Sequence, residues 1–84
     1  MDEIKQDIRQ FLLEILPDGK ASSLGDDTPL RTTGLMDSMA LLRLVGFVEE
    51  KFGIEVSAYE AGIENFDRID DIAAFVLRKR SAKA

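Results

Sequence analysis

The sequence predicts an all-α fold, a small four-helix bundle with a long first loop and a short third helix. Three observations point there. Apolar residues recur at helical spacing in three separate stretches. Strand signals are confined to a brief alternation at Ile54 and Val56, and one short strand is not a sheet. The 84 residues are enough for one domain and too few for two, so a single domain over 1–84 is expected.

The first helix is expected over about residues 2–16. Ile4, Ile8, Phe11, Leu12 and Ile15 make one apolar stripe. Asp2 and Glu3 suit the positive end of the helix dipole, and Asp2 can cap it. Pro17, Asp18 and Gly19 end it. The connection that follows, to about Met36, is rich in Gly, Ser, Thr and Asp. A loop of that length in a compact domain is functional or is pinned by its own side chains. Leu24, Leu30 and Leu35 are read as anchors into the core, and Asp26 and Asp27 as turn formers before Pro29.

The second helix is expected over 37–52, opening at Asp37 or Ser38 and closing on Gly53. Its buried face is Leu41, Leu44, Val45, Val48 and Phe52. Met39, Leu42 and Phe47 fall outside that face or at its margin. This is more apolar surface than one side of a small core requires, so the surplus points to a docking surface or a second buried contact. Glu49 and Glu50 read as a solvated helix end. A short turn is expected over 63–68, capped by Asn65. The last helix is expected over 70–80, with Asp70 as its N-cap and Ile69, Ile72, Phe75 and Val76 on its apolar side. Arg78, Lys79 and Arg80 sit at its negative end.

Composition removes several functions. The chain has no cysteine and no histidine. It therefore has no thiolate nucleophile, no Cys-based zinc site and no Ser–His pair. A carboxylate-using enzyme would need a second carboxylate cluster near any nucleophile, and none stands near Ser38. The formal charge is −5, although the tail residues Arg78, Lys79, Arg80 and Lys83 supply +4. The remaining −9 repels nucleic acid and anionic membrane and attracts basic protein surfaces. No stretch approaches the roughly 18 apolar residues of a membrane span. The charged, amphipathic "MDEIKQDIRQ" is unlike a signal peptide. A cytoplasmic monomer is expected.

Residues 34–47, "GLMDSMALLRLVGF", place Ser38 where a glycine-containing loop turns into a helix. Free backbone N–H groups and the dipole favour an anion there, and a phosphate ester on the Ser38 hydroxyl would suit the helix end. Taken alone, Asp37 and Ser38 need be no more than caps, since both residue types are favoured at that position.

The wider pattern weighs against that minimal reading. "LGDDTPLRTTGLMDSMALLRLVGFVEEKFGIEV" resembles the acyl carrier and peptidyl carrier protein family. The matching points are Asp27, Thr28, Pro29, Leu30, Gly34, Leu35, Asp37, Ser38 and Met39, then the apolar helix, "EEKFG", Ile54 and Val56. "ENFDRIDDIAAFV", residues 64–76, resembles the ending of stand-alone carriers. The resemblance implies a bundle of acyl-carrier type that is not an enzyme. It implies that a separate phosphopantetheinyl transferase moves 4'-phosphopantetheine from coenzyme A onto Ser38, with Asp37 helping to position the serine and the transferase's metal. Acyl or aminoacyl groups then ride on the arm as thioesters. An adenylating ligase and an acyltransferase or condensing enzyme are the implied further partners. Met39, Leu42, Arg43 and Gly46 are the candidate partner-binding residues. Carriers of fatty acid synthesis usually show acidic residues early in the helix after the serine. Here Ala40, Leu41, Leu42 and Arg43 stand there, closer to peptidyl or aminoacyl carriers, or to specialised stand-alone acyl carriers. The competing reading is an acidic helical adaptor that docks a protein through the second helix and carries no prosthetic group.

Overall fold

The structure is a computed structural model. It describes residues 2–16, 25–31, 34 and 36–83. Among the described residues four helices follow in order: α1 (Asp2–Ile15), α2 (Ser38–Phe52), α3 (Ile63–Phe66) and α4 (Ile69–Lys83). No strand occurs among the described residues, and Ile54 to Ser57 run without regular structure. The all-α, four-helix expectation therefore holds. None of these helices is long and apolar enough to cross a membrane.

α1 packs on α4 and α2, and α3 packs on α4. The α1 stripe is buried through Ile4, Ile8 and Leu12, with Leu16 just past the helix end and Phe11 and Ile15 packed at its edge. Ile69, Ile72, Ala73, Phe75 and Val76 of α4 are buried in the same core, and Phe75 meets Phe66 of α3 edge-on. From α2, Leu44 and Val48 are fully enclosed, whereas Leu41, Val45 and Phe52 are only partly covered. Phe47, expected at the margin or beyond, stacks on Phe11 with ring centroids 4.3 Å apart and meets Phe52 edge-on. Part of the apolar surplus of α2 is thus an aromatic contact against α1, Phe47 on Phe11, extended within α2 by the edge contact to Phe52.

Helix ends differ in places from the expected ones. α1 stops one residue short of 16. The Asp2 side chain, Pro17 to Gly19, Leu24 and Leu35 lie outside the described residues. α3 spans less than the expected 63–68. Its N-cap is Gly62 rather than Asn65, which lies inside the helix and donates through its side chain to the Glu60 carbonyl. α4 starts at Ile69, so Asp70 is a first-turn residue and not the cap. Its carboxylate serves the dipole and pairs with Lys5 at 2.7 Å. α4 also runs past residue 80, because Ser81, Ala82 and Lys83 carry little penalty against helix.

Candidate functional site

The loop before α2 is fixed at several points. Leu30 is fully buried, the one expected loop anchor that falls among the described residues. Asp26 forms a turn, as expected, and also clamps the loop to the bundle. It pairs with Arg9, lies 3.9 Å from Lys5, and its carbonyl accepts from the Asp70 N–H. Thr28 closes on Gly25, both through its own N–H and through its hydroxyl. The Met36 N–H donates to the Leu30 carbonyl at 2.8 Å, and Met36 is buried. Between them Gly34 takes φ 78° in a turn whose N–H reaches the Arg31 carbonyl. A side chain at that backbone angle is strained, which accounts for the glycine.

This closed loop delivers the chain to Asp37, the N-cap of α2. Asp37 is extended, and its carboxylate accepts the Ala40 N–H at 2.8 Å while its carbonyl accepts the Leu41 N–H. The first helical residue is Ser38. It is exposed, and its hydroxyl has no hydrogen-bond partner among the described residues. The division of labour is clear: Asp37 performs the capping, and Ser38 is left with a free hydroxyl at the helix mouth. No other acidic residue stands in the first turn. The N–H groups of Ser38 and Met39 have no intrahelical acceptor, so the helix end offers donors to an anion, while the Asp37 charge partly offsets the dipole. At the other end Gly53 closes α2 in the left-handed region with φ 65°, and its N–H and that of Ile54 both reach the Glu49 carbonyl.

Along α2 the exposed face carries Met39, Leu42, Arg43 and Gly46. Met39 is 69% exposed and Leu42 65%. The structure thus brings all four candidate partner residues onto open surface beyond Ser38. Among the described residues no cluster of His, Cys, Asp or Glu is arranged to hold a metal ion.

Two positions escaped the reading of the sequence. Glu49, expected as solvated, takes the Val56 N–H on its carboxylate at 2.9 Å and so fastens the loop after α2. Asp67 is buried at 6% exposure. Its carboxylate accepts the Arg31 N–H at 2.8 Å and its carbonyl accepts the Leu30 N–H at 2.6 Å. No local pattern announces an acceptor for a residue 36 positions away. A third feature was legible and overlooked. "SAYE", residues 57–60, has the spacing of a capping box, and Ser57 and Glu60 exchange N–H to side-chain bonds at 3.0 and 3.1 Å. The Glu60 carboxyl is held below its ordinary value of 4.5, first by the Ser57 N–H and then by Lys79, which binds it at 3.0 Å.

A four-helix scaffold that presents an exposed serine with an unbonded hydroxyl directly after a capping aspartate has the layout that the resemblance implies for a carrier protein. Comparison with known proteins agrees. A family model described as "phosphopantetheine attachment site" matches residues 6–76. The chain belongs to this family of phosphopantetheine-bearing carrier proteins, whose members hold 4'-phosphopantetheine covalently. It is similar to the D-alanyl carrier protein of Lactobacillus acidophilus, 38% identical over 72 residues that cover 83% of this chain and 91% of the relative. The D-alanyl carrier protein of Lactobacillus helveticus is 36% identical over the same shares.

Proposed function

We propose that Ser38 receives the arm and that this carrier holds a small aminoacyl or acyl group as a thioester, for delivery to partner enzymes in a specialised pathway. The observation that carries the assignment is the free, exposed Ser38 hydroxyl directly after a cap that satisfies the helix without it. Ser38 Oγ forms the new O–P bond while the phosphoanhydride bond of coenzyme A breaks, 3',5'-ADP leaves, and the serine proton passes to a base of the transferase. Asp37 holds the first turn in register through the Ala40 N–H, and its proposed further role, implied by the resemblance, is to help position the serine and the transferase's metal. The arm supplies the terminal thiol that a chain without cysteine lacks. Tethering raises the local concentration of cargo at each docked enzyme.

Both relatives bear the name D-alanyl carrier protein. D-Alanine is accordingly the first cargo to test, loaded by an adenylating ligase. Arg43, where fatty-acid carriers usually show acidic character, favours this reading over general fatty acid synthesis. Met39, Leu42, Arg43 and Gly46 form the proposed partner face, and a cytoplasmic monomer is the proposed working form.

The test is intact mass after incubation with coenzyme A and a broad-specificity phosphopantetheinyl transferase. Wild type gains one prosthetic group and Ser38→Ala gains none. The alanine variant should stay folded, because Asp37 and not Ser38 makes the cap bond. A modified Ser38→Ala, or a wild type that several transferases leave unmodified, would overturn the assignment and favour the adaptor reading.

A further inference from the structure

Asp67 lies outside the serine motif, on the junction between α3 and α4, yet it grips the chain that leads into that motif. A buried carboxylate is costly unless hydrogen bonds satisfy it. One of those bonds goes to backbone: the carboxylate takes the Arg31 N–H, while the carbonyl of the same residue takes the preceding N–H, of Leu30. Leu30 then accepts from Met36, which is joined directly to Asp37 and Ser38. Both Leu30 and Met36 are plugged into the core, and the Arg31 side chain reaches the Ala61 carbonyl at 3.5 Å. The neck of the serine loop is therefore seated on the α3–α4 junction by two consecutive N–H groups. The Asp67 oxygen atoms fix its height and orientation.

We propose that Asp67 is a positioning residue for loading: it sets the approach to Ser38 through Leu30, Arg31 and Met36, without touching coenzyme A or the transferase. This rests on Ser38 as the attachment site. A fold-only role would require just that the carboxylate be satisfied somewhere. The geometry does more, because both Asp67 oxygens act on neighbouring amides of the one segment that closes onto Met36. A hydrogen bond to a charged acceptor is also stronger and more directional than a neutral one.

The experiment compares wild type, Asp67→Ala and Asp67→Asn in modification by a broad-specificity phosphopantetheinyl transferase with coenzyme A, together with amide hydrogen exchange. For Asp67→Ala, kcat falls by on the order of ten-fold, with KM for the carrier little changed because the exposed face of α2 is intact. Misplacing a reacting group by about 1 Å can cost up to about a hundred-fold. Exchange at Arg31 and Met36 accelerates, while Ile8 and Leu12 keep their protection. Asp67→Asn keeps an acceptor oxygen and restores most of the rate. Undiminished kcat in Asp67→Ala, equal loosening of all amides, or an Asp67→Asn no better than alanine would each overturn the proposal. Should Asp67→Ala fail to fold, Asp67→Asn decides: its Arg31 amide proton shifts upfield and kcat drops modestly, and an unmoved resonance with unchanged kcat refutes the role. Ser38→Ala runs in parallel. If that variant is modified, the attachment site is wrong; if it is inert while Asp67→Ala loads normally, only the positioning role is wrong.

Discussion

Gly46→Ala separates what α2 needs for folding from what it needs for its partners. Gly46 lies within the helix, on the exposed face, and is not at positive φ. A Cβ built there meets nothing within 4 Å, so alanine brings neither clash nor new burial. What remains is helix propensity, and glycine is about 0.8–1.0 kcal/mol worse than alanine in a helix interior. For a domain of this size about 1 kcal/mol moves the melting temperature by roughly 4–8 °C. The expected result is a rise of that order in the thermal melt of the unmodified protein, with an unchanged circular dichroism spectrum. A melting temperature equal to or below wild type would refute the propensity argument. Since the fold would gain from alanine, the glycine points to something outside the chain. Residues 39, 43, 46 and 50 share one helical sector, and a partner backbone lying close along it would be held off by a methyl group. The stabilised variant should then be loaded more slowly by the proposed adenylating ligase. Unchanged loading would show that no partner comes near Gly46.

Three further outcomes follow from the same geometry. Leu30→Ala empties a fully enclosed site at the neck of the serine loop and should cost about 2–5 kcal/mol in urea unfolding; a loss under about 1 kcal/mol would mean the loop is not anchored there. The Glu60 carboxyl is depressed in the folded state, so its contribution is present above the ordinary carboxylate value of 4.5 and fades as pH falls through its lower folded value; an NMR titration of Glu60 with a midpoint at or above 4.5 contradicts this. Arg43→Glu, compared with wild type as modified proteins, should improve loading by a fatty-acid-type malonyl transferase and impair loading by the cognate aminoacyl ligase, more so at low salt; equal rates with both enzymes would remove Arg43 from partner choice.

What could be read from the chain was whatever a local pattern records. The stripe Ile4–Ile8–Leu12 and the sequence from Asp37 to Gly53 declare two helices, because period, cap and terminator fall within a few residues of one another. The placing of Ser38 at a helix start could be read for the same reason, and it is the first residue of α2. Asp70 misled because aspartate is favoured both as a cap and within a first turn, and only the pairing with Lys5 on α1 shows which it is here. Phe47 was under-read because its burial depends on where α1 places Phe11. Asp67 and Glu49 were invisible as acceptors, since their partners are backbone amides at positions that only the folded chain brings near.

The double closure of α2, by the Asp37 carboxylate at one end and left-handed Gly53 at the other, has a kinematic consequence. Helix ends ordinarily fray, and a frayed first turn would let the base of a tether wander. If the arm sits on Ser38 as proposed, the capped turn makes that base a fixed pivot. The sphere swept by the cargo is then centred on one point of the surface, and its radius belongs to the arm alone. Effective concentration at an enzyme entrance follows from the reach of the tether and the span it must cross. A loose pivot would widen the sphere and dilute the cargo within it. On the proposed attachment, each partner could set its depth of active site against a single length, measured from Ser38.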